Sequence, residues 1–301
     1  MTLAYLPSPN VSVIHLGPLT IHFYALCIIL GIVVAVWWGE RRFVALGGES
    51  GIVTDVAYWA VPAGIIGGRL YHLATSWNSE RTFFDAIAIW RGGLGIWGAI
   101  SLGALGAYLR YRSLTKSRMR TSSAIPALPA LPTFPVLPAL PRFSVFMDAL
   151  APGIVLAQAI GRWGNWFNIE LFGKPSSLPW ALEVPLSKRP SGYAEFTTFH
   201  PTFLYESLWC ICVALLLLVV AKRKIVGDGG IFALYVASYS FGRLWIEMLR
   251  IDESERILGL RFNIWVSLIV SAIATAVFLK KRAVKRSSNS GDSGTSGNSG
   301  K

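Results

Sequence analysis

Seven apolar stretches, each long enough for a helix to cross the hydrocarbon core of a bilayer, divide this sequence, near residues 20–39, 54–75, 93–110, 146–167, 202–221, 229–249 and 263–280. A helix needs about 20 mostly apolar residues for one crossing, and it suits the bilayer because it satisfies its backbone N–H and C=O groups internally. The expected fold class is therefore an all-α integral membrane protein with about seven transmembrane helices. With 53% of 301 residues hydrophobic and only 15% charged, the chain is too apolar for an ordinary soluble domain.

A net charge of +12 would suit a nucleic-acid binder, but the basic residues fall in short clusters between apolar runs rather than along one polar face. The clusters are Arg41-Arg42, then Arg110, Arg112, Lys116, Arg118, Arg120 and Arg142, then Lys222 to Lys224, and finally Lys280 to Arg286. They occupy alternate loops. Basic loops stay in the cytoplasm, so seven crossings put the N-terminus outside and the C-terminus inside. No nucleic-acid partner is expected.

The start of the chain lacks a basic region and a small-residue cleavage site, so the first apolar run is expected to be a retained helix. One polytopic membrane domain is expected over residues 1–286. Within it, residues 121–142 carry proline at nearly every third position, which forbids a helix and marks an extended cytoplasmic insertion. Residues 287–301, rich in Ser, Gly and Asn, are expected to form a disordered tail. Cys27, Cys210 and Cys212 lie in apolar runs without metal-ligand spacing and apart from the arginine motifs, so no metal site, disulfide or cysteine nucleophile is expected.

Under this topology Arg69, Arg162 and Arg243 all fall toward the outer ends of their spans. An arginine at mid-span costs roughly 2.5–3.5 kcal/mol on insertion scales, so three near one level suggest an interior anion site. Snorkelling to the interface is the alternative for any single one. Two motifs argue against it. Gly161-Arg162-Trp163-Gly164-Asn165-Trp166-Phe167-Asn168-Ile169-Glu170 sets Arg162, Asn165 and Asn168 three apart on one helix face. Gly242-Arg243-Leu244-Trp245-Ile246-Glu247-Met248-Leu249-Arg250 sets Arg243 and Glu247 four apart, a spacing that also suits a structural ion pair. Tyr24, Tyr71 and Tyr205 lie at the same outer level, where aromatic-belt residues also collect.

The run from Gly161 to Glu170, followed by Gly173, resembles the signature of the prolipoprotein diacylglyceryl transferase family. The likeness extends in order through Tyr24, Gly67-Gly68-Arg69, Arg91 to Gly95, His200-Pro201 to Glu206, and Gly242 to Arg250, leaving out the proline-rich insertion and the tail. It implies a bacterial plasma-membrane transferase with its active site toward the outer leaflet. That enzyme moves the diacylglyceryl group of phosphatidylglycerol to the thiol of the lipobox cysteine in an exported prolipoprotein. A thioether forms and glycerol phosphate leaves, with no cofactor and no metal. Carried over residue by residue, the likeness implies catalytic roles for Arg162, Arg243, Tyr24, Glu170 and Glu247. Substrate binding would fall to Arg162, Arg243, Asn165, Asn168, Gly173, Arg69, Tyr71 and Arg250. Trp97 stands where many members carry a histidine, which leaves the proton acceptor open among Glu170, Glu247 and Tyr24.

Guanidinium groups suit a phosphodiester because they bind its oxygens through paired, charge-assisted hydrogen bonds. They also stabilise the charge that grows on departing glycerol phosphate and favour the acceptor thiolate. A transporter or binding scaffold for an anionic lipid or solute is the rival reading. A transporter would call for polar residues on both sides of the midplane and for paired inverted halves, and neither is evident in the sequence.

Overall fold

The computed structural model describes residues 5–17, 19–76, 93–124, 139–252 and 254–294. Among them are seven α-helices: α1 (Phe23–Ala45), α2 (Ile52–Ser76), α3 (Ile96–Ala124), α4 (Phe143–Asn168), α5 (Thr202–Arg223), α6 (Gly230–Leu249) and α7 (Phe262–Gly294). Each coincides with one of the seven apolar stretches. Four are long and apolar enough to cross a membrane by length and composition: α1, α4, α5 and, up to Arg286, α7. Polar residues such as Asp55 in α2, Arg110 in α3 and Arg243 with Glu247 in α6 dilute the other three.

Three departures from expectation concern the ends of these helices. Thr20 to His22, expected to open the first span, instead form strand β2 (Leu19–His22), paired antiparallel with β1 (Val13–Leu16) ahead of α1. Gly17 supplies the positive φ of +60° at the turn, and the β-branched Thr20 and Ile21 suit the extended strand. Helix α7 runs to Gly294, into the stretch expected to be disordered, whereas residues 295–301 lie outside the described residues. Helix α3 runs to Ala124, into the stretch 121–142 expected to be extended, because Thr121 to Ala124 precede the first proline of that stretch; residues 125–138, together with Trp90, Arg91 and Gly92, also lie outside the described residues.

Two compact units divide the chain. One comprises Met1–Gly39 and Met147–Lys301, the other Glu40–Phe146.

In the 40–146 unit, α2 and α3 pack through glycine. A Cβ on Gly67 would lie 2.2 Å from the Gly98 carbonyl oxygen, and one on Gly98 would lie 2.1 Å from that of Gly67, so only glycine lets the helices approach this closely. The Glu40 carboxylate accepts from the amides of Gly51 and Thr54 at 2.7 and 3.1 Å, supplying acceptors at the start of α2. Arg110 forms a two-pronged pair with Asp55 at 3.1 and 2.7 Å. Arg69 donates from Nη1 to the Gly93 carbonyl at 3.1 Å, while Tyr71 lies with its ring against Gly95 and its Cβ against Gly98.

In the other unit, α1 meets α4 at Gly31 against Ala157 and at Gly153 against Ala35, backbone to backbone. The apolar core gathers Ala151, Val155 and Ala159 of α4, Cys210, Val213, Ala214 and Leu217 of α5, and Ile231 and Tyr235 of α6. Asp148 of α4 accepts from the amides of Gly229 and Phe232 at 2.7 and 2.8 Å, satisfying two otherwise orphaned donors at the start of α6. Outside this core, Ile29, Leu30 and Val33 of α1 and Ile269 and Ile273 of α7 are more than half exposed. Lipid chains are a fitting solvent for such a surface.

The polypeptide between α4 and α5 forms a small cap of its own. Strands β3 (Leu182–Glu183) and β4 (Thr198–Phe199) pair antiparallel over a core of Phe172, Leu182, Val184, Phe199 and Phe203. Leu6 near the N-terminus exchanges backbone hydrogen bonds with Ala181 and Glu183, adding an edge to this cap. A third ladder, β5 (Arg256–Ile257) with β6 (Leu260–Arg261), turns the chain from α6 into α7.

Candidate active site

The candidate site is built where α4, α5, α6 and the start of α7 converge. Arg162 stands on the last part of α4 and Arg243 on that of α6, and one carboxylate joins them. Glu206, in the second turn of α5, accepts from Arg243 Nη1 at Oε1, 2.6 Å away, and its Oε2 lies 2.5 Å from Arg162 Nε. The second contact is an ion pair without hydrogen-bond alignment, because Oε2 is buried and has no hydrogen-bond partner. Glu206 is 4% exposed, whereas the side chains of Arg162 and Arg243 retain 19% and 16%.

Each arginine has a further partner of its own. Arg162 Nη2 donates to the Tyr239 hydroxyl of α6 at 3.0 Å, and Arg243 Nη2 donates to Glu247 Oε2 at 2.7 Å. Glu247 is fully buried and anchors a second cluster. Its Oε1 accepts from Arg261 Nε at 2.9 Å and from Asn263 Nδ2 at 3.2 Å, and Arg250 Nη1 lies 3.7 Å from Oε2. Arg250 makes a bidentate pair with Asp252 at 2.7 and 2.8 Å, and Arg261 Nη2 reaches the same carboxylate at 3.0 Å. Burial alone would push the Asp252 carboxyl up, but hydrogen bonds and charge from Arg250 and Arg261 override it and hold the group below its usual range. A buried carboxylate among cations is stable only when its lone pairs are filled, as they are at Glu247.

Local backbone geometry sets these side chains. Tyr24, at the start of α1, packs its ring on Gly164, where a Cβ would fall 2.5 Å from Tyr24 Cδ2. Its hydroxyl lies in the fields of both Glu170 and Arg162. Asn165 is buried, and Asn168 donates to Glu170 Oε1 at 3.2 Å. The chain leaves α4 through two left-handed residues, Ile169 at φ +52° and Leu171 at φ +59°, which turn the exposed Glu170 outward. Such a conformation is costly for a β-branched isoleucine, and the tertiary bonds that follow hold it. The Gly173 amide donates to the His200 carbonyl at 2.9 Å, and the Lys174 amide donates to that of Leu249 at 2.8 Å. At Gly173 a Cβ would meet His200 Cβ at 2.9 Å and the Leu249 carbonyl at 3.1 Å, so glycine lets the three segments meet.

A cleft of about 330 Å³ opens beside this turn, with Asn168, Glu170, Lys188 and Asp252 as its polar lining. Nearby, His200 Nδ1 and the Tyr205 hydroxyl are 3.0 Å apart, and Trp180 Nε1 donates to that hydroxyl at 3.1 Å. Burial and the positive charge of Lys174 lower the His200 imidazole below its ordinary pKa, favouring the neutral ring.

Of the residues singled out in the sequence, Arg162, Arg243, Glu247 and Arg250 join one ionic network, and Tyr24, Asn165, Asn168, Glu170 and Gly173 gather at the end of α4 within the same unit. Arg69 and Tyr71 belong to the 40–146 unit, as does Trp97. Five network members receive no role from the sequence alone: Glu206, Tyr239, Asp252, Arg261 and Asn263. Glu206 carried a usable signal, a lone acid in the first turns of an otherwise apolar helix. Arg261 resembled a flanking residue, and Tyr239 one more aromatic in an apolar run. Cys210 requires a correction, since it lies one turn along α5 from Glu206 and within the fields of Arg162 and Arg243 rather than apart from them. It is 1% exposed and packs in the apolar core.

Comparison with known proteins gives one consistent result. The family model described as "Prolipoprotein diacylglyceryl transferase" matches residues 11–132 and 136–280. The phosphatidylglycerol--prolipoprotein diacylglyceryl transferase 2 of Streptomyces coelicolor is 53% identical over 280 residues, covering 92% of this chain and 80% of its own. The phosphatidylglycerol--prolipoprotein diacylglyceryl transferase of Frankia alni is 49% identical over 287 residues, 94% of this chain and 69% of its own. The one from Cutibacterium acnes is 47% identical over 283 residues, covering 92% and 87% respectively.

Proposed function

Because this chain belongs to the prolipoprotein diacylglyceryl transferase family, we propose that it transfers the diacylglyceryl group of phosphatidylglycerol to the lipobox cysteine of an exported prolipoprotein. The observation that carries this reading is the meeting of Arg162 and Arg243, from two helices, at one anionic position. In the proposed reaction the acceptor sulfur attacks the phosphate-bearing carbon of the donor's diacylglyceryl group. Its C–O bond to phosphate breaks, a thioether forms, and glycerol phosphate leaves with the electron pair. The two guanidiniums hold the phosphodiester oxygens and neutralise the charge that grows there, where a preorganised cation needs no rearrangement as the bond breaks. Holding both substrates at one site also removes most of the entropy cost of their encounter.

The other residues take proposed supporting roles. The exposed Glu170, held by Asn168 and close in field to the Tyr24 hydroxyl, takes the thiol proton directly or through Tyr24. Glu247 serves better as the post that positions Arg243 than as a base, since both its oxygens already face cations. Arg250 belongs to the same support, and Gly173 closes the turn that aims Glu170. Asn165 and Asn168 contribute amides at the lipid head, and Arg69 and Tyr71 contribute lesser lipid contacts, as the family likeness implies. No step needs a metal or a cofactor.

We place the protein in a bacterial plasma membrane with seven crossings, the N-terminus outside, the C-terminus in the cytoplasm and the site toward the outer leaflet. Basic clusters on alternate loops support this orientation. Deleting residues 126–138 is then expected to leave transfer close to the wild-type rate, because that segment lies on the cytoplasmic side. Pro141, whose carbonyl accepts from the Tyr111 hydroxyl, is kept in this variant. A large loss of turnover with normal insertion would overturn the orientation.

The activity is tested with purified protein, labelled phosphatidylglycerol and a lipobox peptide. Thioether-linked label on the peptide is the expected product. Flux of a labelled anion across vesicles without thioether product would support a transporter instead, and lipid binding without turnover a scaffold.

A further inference from the structure

The carboxylate between the two arginines is itself an anion, seated where the proposed donor has to put its phosphodiester. Its hold is uneven. Arg243 Nη1 donates a hydrogen bond to Oε1, but Arg162 Nε touches Oε2 out of alignment, leaving that buried oxygen without a hydrogen-bond donor. Glu247 provides the contrast, because both its oxygens accept hydrogen bonds, from Arg243, Arg261 and Asn263. A carboxylate pinned by several aligned donors is a fixture, whereas one held by a single aligned donor and one unaligned charge exchanges more readily.

Carboxylate and phosphodiester offer a guanidinium the same feature, one negative charge shared between two oxygens on a single centre. We propose that Glu206 is an exchangeable internal counter-ion, filling the phosphodiester seat between Arg162 and Arg243 before lipid arrives and giving it up when phosphatidylglycerol binds. This inference rests on the transferase reading above. It explains why each arginine has a second partner that does not depend on Glu206: the Tyr239 hydroxyl retains Arg162, and Glu247 retains Arg243. The exchange therefore needs only a rotamer change at Glu206, with the seat left standing. Before binding, the carboxylate neutralises two cations that would otherwise repel each other in a poorly hydrated place. On binding it competes, so the apparent lipid affinity is reduced by the fraction of molecules in which Glu206 occupies the seat.

The test uses the full chain in nanodiscs of a zwitterionic phospholipid, titrated with phosphatidylglycerol as a mole fraction, with binding and turnover both read. Glu206→Gln is expected to bind phosphatidylglycerol severalfold more tightly than wild type and to show a lower KM, whatever happens to kcat. Glu247→Gln is expected to bind more weakly. A merely structural Glu206 would give the opposite, weaker binding and a higher KM on its removal, and that result overturns the proposal. Should Glu206→Gln lose thermal stability, Glu206→Asp decides. Its shorter side chain keeps the charge but does not span both guanidiniums, so tighter lipid binding is expected, and equal or weaker binding overturns the exchange. Wild-type turnover tests the transferase reading and the ranking of lipid affinities tests the exchange, so each can fail alone.

Discussion

Replacing Arg162 or Arg243 with alanine is expected to lower diacylglyceryl transfer by at least about 10²–10³-fold, the usual loss when one preorganised donor to a developing anion is removed. Both changes remove a cation from the position where the phosphodiester is proposed to sit, and each also strands Glu206 with a single guanidinium. Lysine is expected to rescue poorly. An ammonium is a point charge on a flexible stem, whereas Arg162 uses Nε and Nη2 toward two different partners at once, Glu206 and Tyr239. The check is initial-rate transfer with labelled phosphatidylglycerol in variants that insert and purify like wild type. Wild-type turnover in either alanine variant would remove the arginine pair from the mechanism.

Replacing Glu247 with alanine is expected to damage both stability and transfer. The side chain is 0% exposed, and it faces guanidiniums from Arg243, Arg250 and Arg261 together with the Asn263 amide. Its removal leaves Glu206 as the carboxylate beside Arg243 and Asp252 as the one shared by Arg250 and Arg261, and breaking buried ion pairs in this way costs about 3–5 kcal/mol, much more than an exposed ion pair would. Thermal unfolding in detergent should therefore shift clearly downward, with transfer falling because Arg243 loses the partner that holds it. Glu247→Gln keeps the shape and one acceptor oxygen, so it should unfold between wild type and the alanine variant. An alanine variant as stable as wild type would show that the cluster does not brace α6 against the start of α7.

The seven helices were legible because each is a long apolar run, a signal that survives without any knowledge of neighbours. Their ends were less so. Thr20 to His22 extended the first apolar run by composition yet pair with Val13 to His15, since the turn at Gly17 brings a second strand within reach. The small ladder of Leu182 and Glu183 with Thr198 and Phe199 was invisible for a similar reason, two residues on each side being too few to show a period of two.

At the site, the arginines could be found one by one from their cost in an apolar helix, and the pair of Arg243 with Glu247 from its spacing of four. No spacing rule relates Arg162 on α4 to Glu206 on α5, because 43 residues that include a folded cap separate them. The partnership of Glu247 with Arg261 likewise depends on the β5–β6 turn that brings the start of α7 back to α6.

Residue type and periodicity, acting within one helix at a time, thus determined where the chain is helical, which residues are too polar to face lipid, and which family it belongs to. Which carboxylate meets which guanidinium was left to tertiary packing. Opposite charges attract with little regard for direction or separation along the chain, so only the close approach of helices permitted by their small residues selects one pairing among many.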